Sequence, residues 1–195
     1  MSQIALPLPS EGRRARVDST LGMALFIGSW SMAFATLFLT FLILRQRQPV
    51  WPPQGVVLPS LPLAGLATGV LLASSVLLHG AVARLRAGRP GFASRWAAGL
   101  VAGLLFAGLQ SWLWIDVWSA GGRPDTDMYQ GLFYMLTWFH ALHVVCGLLA
   151  LGVIQAGALS GRIHAGRATP ASSVAIFWHF VDAVWLVLFF SFFAL

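Results

Sequence analysis

The 195-residue chain has no lysine, a single cysteine, two tyrosines and very little charge. Only 9% of its residues are Asp, Glu, Lys or Arg, while 58% are hydrophobic. A soluble domain carries about a quarter charged residues and must keep much of its surface wet, so a water-soluble fold is excluded. The lone Cys146 lies in an apolar run and rules out an internal disulfide. Neither a phosphate-binding glycine loop, a serine nucleophile elbow nor a paired-carboxylate motif is present, so nothing in the chain reads as an independent enzyme. The formal charge of +6 does not point to nucleic acid, because the twelve arginines sit between apolar segments as loop charges of a membrane protein do.

What is present is a set of long apolar runs. Five segments can cross about 30 Å of hydrocarbon at about 1.5 Å per residue. They are 21–44, about 61–83, about 96–118, about 130–156 and 172–195. The connections are short and rich in Gly, Pro and Arg. That between the first two, "RQRQPVWPPQGVVLPS", holds four prolines that exclude helix from most of it, and its Trp51 suits the membrane interface. Residues 1–20 lack a signal-peptide pattern, their Arg cluster following the mild apolar stretch. They read as a disordered cytoplasmic tail, with Asp18, Ser19 or Thr20 available to cap the first helix. The expected fold is all-α, a single polytopic bundle of five transmembrane helices over 21–195.

Arginine placement sets the expected orientation. The tail and the loops after the second and fourth spans hold nine (Arg13, Arg14, Arg16, Arg84, Arg86, Arg89, Arg95, Arg162, Arg167). The other side holds three, Arg45, Arg47 and Arg123, offset by Asp125 and Asp127. The bias predicts a cytoplasmic N-terminus and a periplasmic C-terminus.

Small residues recur at helix-contact spacing: Ala24 and Gly28, Gly65 and Gly69, Gly99 and Gly103. Such pairs admit close helix approach in lipid, although glycine is also simply common in membrane helices. The aromatic stretch "FATLFLTFL", 34–42, is expected to face lipid or a neighbouring subunit.

Several polar side chains fall within the spans. His79 is near Arg84 and reads as a headgroup-level residue. Asp116, among Trp112, Trp114 and Trp118, reads as part of an interfacial belt. Gln110 is deeper, and a buried amide must find partners, often across helices. "WFHALHVVCG" puts His140 and His143 three apart on one helix face, and "FWHFVDAVW" does the same for His179 and Asp182. Trp178, Asp182 and Trp185 share a flank of that last helix. Polar groups at this depth mark function or a polar seam. Three readings compete: a metal site, for which His-x-x-His alone is a weak signal; a proton relay; and a hydrogen-bonded seam that fixes helix packing.

"FHALHVVCG" and the run from Phe177 to Leu186, "FWHFVDAVWL", resemble signatures of subunit III of haem–copper oxidases, the cytochrome c oxidase subunit III family. "LGMALFIGS", "WPPQG" and "LLASSV" resemble the family's earlier segments in order, so the resemblance spans about 21–195. It implies a multi-pass subunit of the bacterial inner membrane that binds no haem or copper itself. Those cofactors are expected in partner subunits, structural phospholipid in this one. The subunit would pack on catalytic subunit I and other oxidase subunits, in a respiratory complex that reduces oxygen with proton translocation. The family's polar positions correspond to His140, His143, Trp178, His179 and Asp182. Family members usually have seven transmembrane helices; the pair without a counterpart here is the first, and dropping an even number preserves orientation. Three family carboxylates are replaced, by Trp30, Leu113 and Ser172, and Ala141 stands in the usual His-Gly-Leu-His. Those replacements count against a relay, which needs successive stations. The alternatives are a subunit III-like accessory protein of a nitric oxide reductase and a small channel or transporter.

Overall fold

The computed structural model describes residues 11–194. Five helices account for nearly all of it: α1 (Glu11–Gln46), α2 (Leu61–Arg86), α3 (Phe92–Ser119), α4 (Met128–Leu159) and α5 (Thr169–Phe189). A 3-10 turn at Ala165–Arg167 precedes α5, and a π-helical turn, Phe190–Ala194, extends it. Each helix contains a window long and apolar enough to cross a membrane. The chain is an all-α polytopic bundle with five membrane-spanning helices.

Helix α1 departs from expectation at its start. It begins at Glu11, ten residues before the apolar run, so Asp18, Ser19 and Thr20 lie inside the helix and do not cap it. Nothing between Glu11 and the run breaks a helix, since the prolines of the tail all precede it. Residues 1–10 of the expected tail lie outside the described residues. Helices α3 and α4 outrun their apolar segments at both ends, α2 at its C-terminal end and α5 at its N-terminal end, because the flanking residues continue the helix. Asp127 starts α4 by accepting from the Gln130 backbone N–H at 2.8 Å. The α2–α3 connection needs only five residues because Gly88 and Gly91 take positive φ, 63° and 91°.

Helices α2, α3, α4 and α5 form a closed ring: α2 packs on α3, α3 on α4, α4 on α5, and α5 back on α2. Helix α1 lies outside the ring against α5 and, more lightly, α4. Trp178 occupies the ring's centre. Its indole fits there because Gly103 of α3 and Gly147 of α4 have no side chain; a Cβ at either would stand 2.9 or 2.8 Å from it. Gly99 likewise admits Leu78 of α2. At the other end the proline-rich loop folds over the bundle: Trp51 packs on Tyr129 and Phe41, and Gln130 donates to the Val57 carbonyl.

The expected outward face of α1 is corrected in part. Phe34 and Phe41 are buried, against Phe139, His143 and Phe180 for the first and Phe192 for the second. Spacings of four and three put Phe34, Phe38 and Phe41 on one stripe, and that stripe turns inward. Leu25, Met32 and Leu39 on the other faces are exposed.

Candidate functional site

The polar side chains inside the spans divide into three groups. The first joins α2 to α5. Ser75 of α2 is half-buried and faces His179 and Asp182 of α5. Its hydroxyl donates to Asp182 Oδ2 and lies 2.8 Å from His179 Nδ1. A serine has one proton to give, so with that proton on Asp182 the histidine must donate through Nδ1. His79 is one turn from Ser75 on α2, its ring centroid 6.1 Å from that of His179. It is exposed on the bundle's flank, next to this group. Composition and spacing alone do not single out Ser75. The available signal was the Ser-Ser pair in the middle of an otherwise apolar span, where each hydroxyl must find a partner. Its neighbour Ser74 donates to the Gly99 carbonyl of α3 at 2.7 Å.

The second group is at the α1–α4 contact. His143 Nδ1 is 2.8 Å from the Phe139 carbonyl one turn back, so that nitrogen carries the proton. The ring is enclosed by aromatic side chains: Trp30 meets it edge-on at 4.3 Å, and Phe34 lies at 5.0 Å. A tryptophan at position 30 therefore makes this neighbourhood apolar where a carboxylate would have made it ionic.

The third group is inside the ring. His140 stacks on Trp185 at 5.6 Å. Trp185 donates its indole N–H to Thr68 of α2 at 2.9 Å, and Phe106 of α3 meets its ring edge-on. Gln110 of α3 is buried but has no protein hydrogen-bond partner, so it does not tie helices in the expected direct way. Trp178 Nε1, Asp182 Oδ1 and both nitrogens of His140 are also buried without a protein partner. Leu113, one of the replaced carboxylate positions, is a fully buried apolar contact.

The five residues singled out together, His140, His143, Trp178, His179 and Asp182, thus do not form one cluster. His179 and Asp182 share Ser75, His140 belongs to the Trp185 layer, and His143 faces α1. Three residues advance about 300°, so His140 and His143 share one neighbour, Phe34 of α1 at 6.4 and 5.0 Å, and differ in the others. Among the described residues no three His, Cys, Asp or Glu side chains converge as metal ligands do. Cys146 is exposed.

The small-residue pairs also divide. Gly99 and Gly103 are sites of close approach inside the ring, as is Gly147. A Cβ on Gly28, Gly65 or Gly69 would meet nothing within 4 Å, and Ala24 is exposed, so these four do not mediate packing within the chain. Asp116 is exposed beside the exposed Trp112 and Trp118.

Two grooves flank α1. One, about 270 Å³, is apolar and lies between Phe34, Phe38, Phe180 and Val184. The other, about 490 Å³, has Ile27 and Ile176 on its walls and Arg86, Thr169 and Ser172 at its polar end.

Comparison with known proteins agrees with the sequence resemblance. The family profile for cytochrome c oxidase subunit III matches residues 14–195. Cytochrome c oxidase subunit 3 of Thermostichus vulcanus is 34% identical over 171 residues, covering 87% of this chain and 83% of that protein. The cytochrome c oxidase subunit 3 of Synechocystis is 33% identical over 190 residues, 94% of this chain and 78% of its own length. A match over residues 14–195, which take in all five spans, shows that this chain belongs to the cytochrome c oxidase subunit III family.

Proposed function

We propose that the chain is a non-catalytic accessory subunit of a bacterial haem–copper terminal oxidase, seated in the inner membrane against the catalytic subunit. The reading rests on family membership. The observation that carries the non-catalytic part is the use made of the intramembrane polar groups. Ser75, His179 and Asp182 are spent on one another between α2 and α5, and His143 on its own helix and on aromatic rings. Groups engaged in this way hold helices in register. We assign the Ser75–His179–Asp182 contact to that structural role.

The haem and copper of such a complex belong to its other subunits. The surfaces offered to them are those the ring leaves unused: Gly65 and Gly69 on α2, and Ala24 and Gly28 on α1, where a partner helix can approach closely. The groove ending at Arg86, Thr169 and Ser172 suits a structural phospholipid, with the guanidinium toward a headgroup phosphate and the apolar walls along an acyl chain. The nine-to-three arginine bias supports a cytoplasmic N-terminus and a periplasmic C-terminus. A periplasm-active reporter is expected to work when fused after Leu195 and to fail at Arg86; the reverse pattern would overturn that orientation.

The role is tested by isolating the tagged chain from its own membranes in mild detergent. A haem-containing subunit is expected to come with it, and the assembly to consume oxygen. An assembly that consumes nitric oxide and not oxygen would instead assign the chain to a nitric oxide reductase. Substrate or ion flux in liposomes holding this chain alone would favour a channel or transporter.

A further inference from the structure

Gly103, Gly147 and Trp178 form one layer of the ring, the indole lying between the two glycines. Seven residues further along each helix stand Gln110 on α3, His140 on α4 (which runs antiparallel) and Trp185 on α5. Seven residues is nearly two turns, so each residue returns to the same face, about 10 Å along the bundle. The second layer is therefore Gln110, His140 and Trp185. Its His140–Trp185 edge is the observed 5.6 Å stack. The α3–α4 register holds on the far side as well, where Trp114 Nε1 donates to Thr137 Oγ1 at 3.2 Å.

This second layer concentrates unmet hydrogen-bonding capacity. Both side-chain polar atoms of Gln110 and both ring nitrogens of His140 are buried with no protein partner. Stacking on Trp185 leaves the nitrogens on the free edge of the imidazole. Trp178 Nε1 and Asp182 Oδ1 on the same flank of α5 are buried without a protein partner too, but the other polar groups around the layer are committed. The Trp185 N–H goes to Thr68, the Trp114 N–H to Thr137, and the Thr137 hydroxyl to the Phe133 carbonyl. Apolar Phe106, Leu113, Leu136 and Val144 close the surroundings. In hydrocarbon no solvent reaches such groups, and leaving them bare is costly. A neutral imidazole offers one donor and one acceptor, and a carboxamide offers both kinds. Only a ligand that both donates and accepts complements the pair in either histidine tautomer, and water at a site with several polar partners is the ordinary solution.

We propose that water is bound between Gln110 and His140, a buried hydration site that joins α3 to α4 inside the membrane. The glutamine thereby ties two helices through water and not by direct contact. A map of the intact membrane assembly, at a resolution that shows ordered water, is expected to place density within hydrogen-bond reach of both side chains. A direct Gln110–His140 bond, or close packing with no density between them, would overturn the site. Its energetic role is read from Gln110→Leu, His140→Phe (which keeps the stack on Trp185) and the double variant. Each single variant strands the water's remaining partner, so loss of the subunit on heating should quicken by about tenfold. Because the two residues share one ligand, the double variant should be no faster than the worse single one. Rates that multiply in the double variant would show independent side chains and would equally overturn the proposal.

Discussion

The best windows of α1 and α5 have the same mean hydropathy, 1.9, yet 11% of the α1 window is buried within the chain against 39% of the α5 window. Lipid is as good a solvent for Leu as a neighbouring helix is, so hydropathy reports that both segments cross the membrane and says nothing about which is covered. Burial is decided by residues that lipid serves badly or that allow close approach. Helix α5 has Trp178, Asp182 and Trp185 on one flank, with Gly103 and Gly147 opposite to receive an indole. Helix α1 turns inward a stripe of Trp30, Phe34, Phe38 and Phe41, while Gly28 meets nothing. The α2–α5 ring is thus a unit locked by shape and hydrogen bonds. Helix α1 is a rim helix held by aromatic contacts, with its outer faces left to lipid or to another chain.

The strongest way to break this contrast is to fill the ring's centre. Gly147→Leu drives a side chain into Trp178, from which even a Cβ would be 2.8 Å away. Neighbouring helices cannot relieve that overlap without separating, so the cost is expected to reach about 3 kcal/mol or more. The variant should fail to accumulate in the membrane, while Gly28→Leu accumulates normally. Equal loss in both would show that α1 is as tightly enclosed as the ring.

A smaller effect is expected at the α2–α5 hydrogen bonds. Asp182→Leu strands Ser75, and with it His179, at roughly 1–3 kcal/mol for each neutral group left unpaired. Subunit loss on heating should begin at lower temperature, and Asp182→Asn should restore most of the difference. An Asn variant as labile as the Leu variant would mean that the carboxyl does more than accept a hydrogen bond.

Loosening the rim should cost less again. Trp30→Ala removes the edge-on contact with His143, an aromatic contribution of about 0.5–1.5 kcal/mol. Helix α1 should separate more readily, while the near-ultraviolet circular dichroism of the ring tryptophans changes little. A collapse of that signal would make α1 part of the core. Least disturbing to the isolated chain are Gly65→Leu and Gly69→Leu, which meet open space. Their expected effect is confined to retention of the subunit on the larger assembly, measured as stoichiometry after detergent extraction.

Much of this arrangement was legible in the residues. Hydropathy alone located all five spans, because few other structures bury so much apolar sequence. The Gly99–Gly103 pair announced a close approach that the fold contains. The outward-facing pairs carried the same signature, since spacing shows that a face is flat and not what lies against it. Spacing was only partly informative for His140 and His143: both border the face that meets Phe34 of α1, but the first also stacks on Trp185 and the second meets Trp30. Ser75 was hidden for a related reason. A lone hydroxyl in a helix often satisfies itself on its own backbone, as Thr68 and Ser111 do, and only the neighbouring helix reveals that Ser75 reaches across.

On this reading the intramembrane carboxyl of Asp182 holds helices together and moves no proton. The direct test is steady-state oxygen consumption by the assembled complex carrying Asp182→Asn, at neutral and at alkaline pH. Asparagine can still accept from Ser75 but cannot ionise, so the rate should stay close to that of the unmodified complex at both. A large loss of rate that deepens with pH, at full subunit content, would contradict the claim.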